Sequence, residues 1–396
     1  MTKKYIVYLG CAGFPYGLAE MEKLLLISKG LVAAGNSVTV ISNKGDHDKR
    51  VHPDIKAAGF FQDIEYVYTS GDPFYNDGFV RRNILKLKGL VNEILFLRRR
   101  KQTKQLDAAI LSTNSFTSVL YYSLLSKAFG FKTILNHVEY YSSIKKKWYQ
   151  AGTKLNHWLY DQYAPKLVSG IFPISEFLIG RINKIARKKP YLKVPTLTEF
   201  ERYDNTDQLE IEKYFLFCGS AIYKELITFI IDSFTIANSS DTCLFLIING
   251  NESDITEVKD YIQKSPKKAN IKFFSRLSQN DLFNYYKNAI ALLIPLRPTF
   301  QDIARFPHKF GEYLASGNPV ITTNYGEVKN YFRDMENMLV AETYETSTFA
   351  KKMEFVINNE KLSKEIGLRG QQTALEIFNY RSKGQEISEF IASLTN

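Results

Sequence analysis

The chain of 396 residues is 45% hydrophobic and carries a formal net charge of +11. It is too long for one compact core, so two domains of about 150 to 200 residues each are expected. No apolar run reaches the roughly 18 residues of a membrane-spanning helix, and the chain opens on the strand-like YIVYLG rather than on a secretory leader, which sets the expectation of a soluble, cytoplasmic protein. Its three cysteines, Cys11, Cys218 and Cys243, lack metal-ligand spacing and read as reduced structural thiols, which excludes a disulfide scaffold.

Charge is unevenly placed. Residues 1–200 hold 30 Lys plus Arg against 15 Asp plus Glu, whereas residues 201–396 hold 22 against 26, giving +15 and −4. A basic first half points to an anionic partner there: nucleic acid, a phosphorylated substrate or an anionic membrane surface.

In chain order, YIVYL (5–9), SVTVI (37–41), DAAILST (107–113), KTILNH (132–137) and SGIFPI (169–174) read as strands, with helical patterns filling most of the gaps. The polar stretch 193–213, with Pro195 and no strong apolar period, marks a boundary. Beyond it YFLFCG (214–219), TCLFLIING (242–250), IKFF (271–274), AIALLIP (289–295) and NPVITT (318–323) repeat the plan. The expected fold class is α/β, with two Rossmann-like doubly wound domains facing a central cleft. Residues 1–195 and 196–375 are the expected domains, and 376–396 a C-terminal helix packing back toward the first. Sheets of this kind bind ligands beyond the carboxyl ends of their strands.

The strand ends carry the chemistry. GCAGFPYGLAE brings Gly10, Gly13 and Gly17 to a turn before a helix expected from near Leu18, which suits an anion or a sugar. It is not the G-x-G-x-x-G fingerprint, and SVTVISNK lacks the acidic residue a nicotinamide cofactor's ribose needs, so an NAD or FAD enzyme is disfavoured. FCGSAIYKE places Gly219 after a strand and Lys224 at a helix start, where a lysine can neutralise a phosphate. In RFPHKFGEYLASGNPVITTNYGE (305–327), Pro307 fits the first position of a helix on which Lys309 and Glu312 share a face. NHVEYY (136–141) sets His137 and Glu139 on one side of an extended chain. Tyr140 and Tyr141 adjoin the basic, aromatic KKKWYQ (145–150), which suits a membrane-surface edge. LRRRK (97–101) and RKK (187–189) read as solvated helix faces, and Asp46-x-Asp48 as a solvated turn.

These stretches, above all RFPHKFGEYLASGNPVITTNYGEV at 305–328, resemble the family 4 glycosyltransferases of the GT-B fold. The resemblance covers nearly the whole chain. It implies a nucleotide-sugar donor held mainly by the second domain, a glycan or lipid-linked acceptor held mainly by the first, and transfer with retention in cell-surface polysaccharide synthesis. No metal or other cofactor is expected, nor a nucleic-acid partner, and the inner face of the membrane is the expected place of work. By this likeness Glu312 binds the ribose hydroxyls, and amides near Lys309 and Phe310 meet the diphosphate. Gly13, Gly219, Lys224 and Arg305 complete the donor set, Gly17, Glu139 and Tyr140 face the acceptor, and His137 and Asp302 are the catalytic candidates. The chain departs from the family at Ala304, where its first motif glutamate would stand, so the donor-sugar contact is lost or moved to Asp302. It departs again at Ser220 and Glu225, where the family has arginine and lysine. A nucleotide-sugar epimerase and an inactive partner subunit are the competing readings.

Overall fold

A computed structural model describes residues 2–17, 19–144, 147–203, 212–238 and 241–395. Residues Met1–Leu197 and Tyr380–Asn396 form one compact unit, and Thr198–Asn379 a second.

The first unit runs β1 (Tyr5–Leu9), α1 (Ala19–Ala33), β2 (Ser37–Ser42), β3 (Ala58–Phe61), β4 (Ile64–Tyr68), α2 (Phe79–Gln102), β5 (Ala108–Leu111), α3 (Phe116–Phe129), β6 (Lys132–His137), α4 (Ala151–Leu167), β7 (Gly170–Pro173) and α5 (Glu176–Ile185). Its seven-stranded sheet has the order β3-β4-β2-β1-β5-β6-β7. The central strands are short apolar runs buried on both faces, as helix-covered parallel sheets require. Only β3 is antiparallel, joined to β4 by Gln62 and Asp63, with Phe61 opposite Ile64. Both turn residues take positive φ, 48° and 65°, as a tight hairpin turn demands. The sequence reading lacked this hairpin because its turn carries neither glycine nor asparagine.

The second unit continues with β8 (Tyr214–Ser220), α6 (Lys224–Ile236), β9 (Cys243–Asn249), α7 (Glu252–Lys264), β10 (Ile271–Phe274), α8 (Gln279–Asn288), β11 (Ala291–Ile294), α9 (Phe300–Ala304), α10 (Lys309–Ala315), β12 (Val320–Thr323), α11 (Val328–Tyr331), β13 (Leu339–Ala341), α12 (Thr346–Asn358) and α13 (Glu360–Phe378). Its strand order is β10-β9-β8-β11-β12-β13, and every pairing is parallel. This is the doubly wound order, whose direction reverses between β8 and β11. The two strands pair only at Phe215 and Leu216 and then diverge. The Cys218 amide, beyond that split, donates instead to the Tyr313 hydroxyl at 2.8 Å, which pins α10 to the end of β8.

The last helix, α14 (Tyr380–Thr395), belongs to the first unit and packs on α1. The two helices meet backbone to backbone: a Cβ on Gly30 would lie 2.3 Å from the Tyr380 carbonyl oxygen, and one on Gly384 2.4 Å from Gly30 Cα. Asn36 Nδ2 adds a bond to Ser388 Oγ at 2.9 Å.

Candidate functional site

In the second unit the switch point between β8 and β11 is rimmed by Gly219 and Ser220 at the end of one strand and by Leu296 and Arg297 after the other. Helix α10 begins at Lys309 rather than at Pro307, because the Pro307 carbonyl accepts the Phe310 amide at 3.1 Å in a turn that precedes the helix. From its first turn Lys309 Nζ reaches Glu312 Oε2 at 2.7 Å and the Tyr286 hydroxyl at 2.8 Å. His308 Nε2 stands 3.9 Å from the other carboxylate oxygen. Burial works to raise the Glu312 carboxyl, but the charge of Lys309, then of His308, outweighs it and holds the group below the usual carboxylate range. Lys309 mirrors this: burial would lower its ammonium, and Glu312 holds it above the ordinary lysine value. The couple is half-buried and stays ionised.

A second cluster lies on the β11–α10 connection. Asp302 is wholly buried. Arg297 gives its carboxylate the backbone amide at 2.9 Å, Nε at 2.8 Å and Nη2 at 3.2 Å, and Arg305 adds Nη2 at 2.6 Å. Burial pushes the Asp302 carboxyl up, but these bonds and the two guanidinium charges win and keep it below its ordinary range. Arg305 also donates to the Tyr223 hydroxyl at 3.0 Å and lies over its ring, while Arg297 Nη1 lies 3.3 Å from Glu225.

Three of the expected site residues are committed to contacts within the second unit. Asp302 is no free contact for a sugar hydroxyl, since both oxygens are taken by arginines and none is exposed; it positions Arg297 and Arg305. Lys224 turns to α7, where Asp254 at 2.8 Å and Glu257 at 2.6 Å neutralise it, so it is not a lone cation awaiting phosphate. The Phe310 amide is used by the Pro307 turn, and its ring is buried 5.1 Å from that of Phe306, so Phe310 anchors the helix instead of meeting a ligand. Arg297 escaped the sequence reading. Arg297 follows β11, on the other side of the switch point from Ser220 at the end of β8.

In the first unit the corresponding reversal lies between β1 and β5. Gly13, at φ 89°, allows the turn after β1, and Gly17 leads into α1. Leu18, where the helix was expected to start, lies outside the described residues. Glu20, unnoticed in the sequence, accepts from Ser112 Oγ beyond the end of β5 at 3.1 Å. His137 ends β6 and is buried, its ring 5.7 Å from that of Tyr160 and its Nε2 3.9 Å from Asp161 Oδ1. Both ring nitrogens and the Tyr160 hydroxyl are buried without a hydrogen-bond partner among the described residues. Glu139 is half-buried. Tyr140 packs between Phe177 and the Arg181 guanidinium, which lies 4.3 Å from its ring centre. Of the expected membrane-facing run, Lys147 is exposed, and Lys145 and Lys146 lie outside the described residues. Among the described residues no helix is long and apolar enough to cross a membrane.

Residues 201–373 match the family described as Glycosyl transferases group 1. No curated protein matches the chain in sequence. In fold it is similar to sucrose-phosphate synthase from Thermosynechococcus elongatus, at a TM-score of 0.77 and 13% identity over 99% of each chain. It is similar also to HepE from Anabaena in complex with UDP, at 0.70 and 12% over 98% of this chain and 100% of that one. WaaG, a glycosyltransferase involved in lipopolysaccharide biosynthesis, follows at 0.66 and 14% over 96% and 99%. Two Rossmann-like units and the matched segment lead to one conclusion: the chain has the GT-B fold, and its residues 201–373 are similar to the group 1 glycosyltransferases.

Proposed function

We propose that the protein transfers a sugar from a nucleoside-diphosphate sugar to a glycan or lipid-linked acceptor, with retention of anomeric configuration and without a metal ion. The observation that carries this reading is the ionised Lys309–Glu312 couple at the head of α10, beside the switch point of the second sheet. A carboxylate there suits both hydroxyls of a ribose, and Lys309, Arg297 and Arg305 bring positive charge for a diphosphate. As the bond from the anomeric carbon to the diphosphate breaks, negative charge grows on the leaving group, and fixed cations in a site shielded from water stabilise it. Asp302 keeps two of them oriented, so little reorganisation is needed when the charge develops. HepE was solved with UDP and with UDP-glucose, which supports a uridine diphosphate sugar as the first donor to try.

The acceptor is assigned to the first unit, toward Glu139, Tyr140 and the turn at Gly17, with His137 as the catalytic candidate of that unit. WaaG's role in lipopolysaccharide biosynthesis supports a cell-surface glycan as product. The test is turnover of UDP-sugars with and without a lipid-linked acceptor, in EDTA and in magnesium, with the product's anomeric proton read by NMR. A glycosylated acceptor of unchanged anomeric configuration, formed in EDTA, supports the reading. An epimerised donor would replace it with an epimerase, and nucleotide binding without turnover with a partner subunit.

A further inference from the structure

Helix α2 departs from the ordinary pattern of a surface helix. Val80, Ile84, Leu87, Val91 and Leu95 recur at spacings of three and four and so share one face. That face points outward: Ile84 is 60% exposed, Leu87 65% and Leu95 56%, whereas Gly89, Glu93 and Leu97 on the opposite face are buried. Phe79, at the start of the helix, is 72% exposed. Helix α3, which packs on α2, adds Leu120 and Leu124 to the exposed apolar surface. A run of aliphatic side chains held in water over four turns is the mark of an interaction surface.

The charges around it say what kind. Arg81, Lys88, Arg98 and Arg99 are exposed on or beside that face, whereas Arg82 and Lys86 share the side of Gly89 and Glu93. The helix's single acidic residue, Glu93, is buried on the other side. We propose that the outward face of α2 lies in the headgroup region of an anionic lipid bilayer, its aliphatic side chains dipping toward the acyl chains while the flanking cations meet the headgroups. A second copy of the chain fits poorly, because two such faces would bring their cations together with no carboxylate between them. A nucleic acid would use the cations and leave the aliphatic row without a partner. The surface is independent of the sugar-transfer reading, since it shares no residue with the switch-point sites.

The full chain is sedimented with vesicles of phosphatidylcholine alone and of phosphatidylcholine mixed with phosphatidylglycerol. Binding to the mixed vesicles that weakens as salt rises is expected. Ile84→Ser/Leu87→Ser/Val91→Ser is expected to bind them about tenfold more weakly, with the parent's melting temperature and UDP affinity. Replacing Arg81, Lys88, Arg98 and Arg99 by Ser is expected to remove the salt-dependent part. Equal binding to neutral and anionic vesicles, or parental binding by the aliphatic triple variant, overturns the proposal. So does a dimer in sedimentation velocity that the triple variant dissolves. Loss of UDP binding by the parent would sink the sugar-transfer reading and leave this one standing.

Discussion

Lys309 Nζ lies 2.7 Å from Glu312 Oε2, one helical turn away, and the same nitrogen is held by the Tyr286 hydroxyl, so the carboxylate is presented with its charge intact and one oxygen committed. Glu312→Gln keeps the shape and removes the charge. Two charge-assisted bonds to a ribose are worth roughly 1.5–3 kcal/mol each, so uridine and UDP should both bind about 100-fold more weakly, to similar extents, by titration calorimetry. The carboxyl is depressed below its ordinary 4.5, so the stability it contributes is present above that pH and is lost as pH falls through the folded value. Parental binding of both ligands, with a melting temperature many degrees lower, would make the couple purely structural.

Arg297 takes the diphosphate role that the sequence suggests for Lys224. Lys224 is already paired with two carboxylates of α7, so Lys224→Ala should change UDP affinity by no more than about threefold. Arg297→Ala should weaken UDP about tenfold or more and change uridine far less, because the guanidinium meets the diphosphate and not the nucleoside, and it should also lower stability, since Asp302 loses a partner. The ratio of UDP to uridine affinity in each variant decides between them.

Asp302→Asn leaves two guanidiniums facing a neutral amide where a buried carboxylate had bound both. Breaking a buried ion pair on one side costs about 3–5 kcal/mol, and the partly exposed arginines put the value near the lower end. Urea denaturation of this variant should show that loss. A variant as stable as the parent but without turnover would return Asp302 to direct chemistry on the sugar.

Glu93 offers a pH signature in the first unit. Burial raises its carboxyl from 4.5 to about 7, against the opposing bonds from Asn43 and Tyr122. A raised folded value means that its contribution to stability is fully present below pH 4.5 and is lost as pH rises through about 7. Glu93→Gln should therefore stabilise the protein at pH 8, by up to about 3 kcal/mol, with the gain vanishing near pH 4. A pH-independent effect in thermal melts would refute the assignment.

The strands were legible because parallel strands buried on both faces are written as short apolar runs, and β6 and β10 fall on the residues read for them. The β3–β4 hairpin was not, since Gln62 and Asp63 adopt a turn conformation that their side chains do not advertise. In the site, Lys309 and Glu312 were readable as a pair because helical spacing alone joins them. Arg297 was not: its meaning depends on a carboxylate five residues on, across an irregular turn, and on Glu225 from the first turn of the distant α6. Lys224 misled for the same reason, its partners lying on the next helix of the fold and not of the motif.

Helix α14 completes the first unit from beyond the second, and that fixes an order of events at the ribosome. The residues of the second unit have all been made while the Gly30 side of α1 still faces water, so the first unit cannot finish folding until synthesis has passed residue 380. A chain stopped after Asn379 should yield to limited proteolysis in the first unit while the second stays resistant. The two glycines that let its helices touch therefore close the fold last.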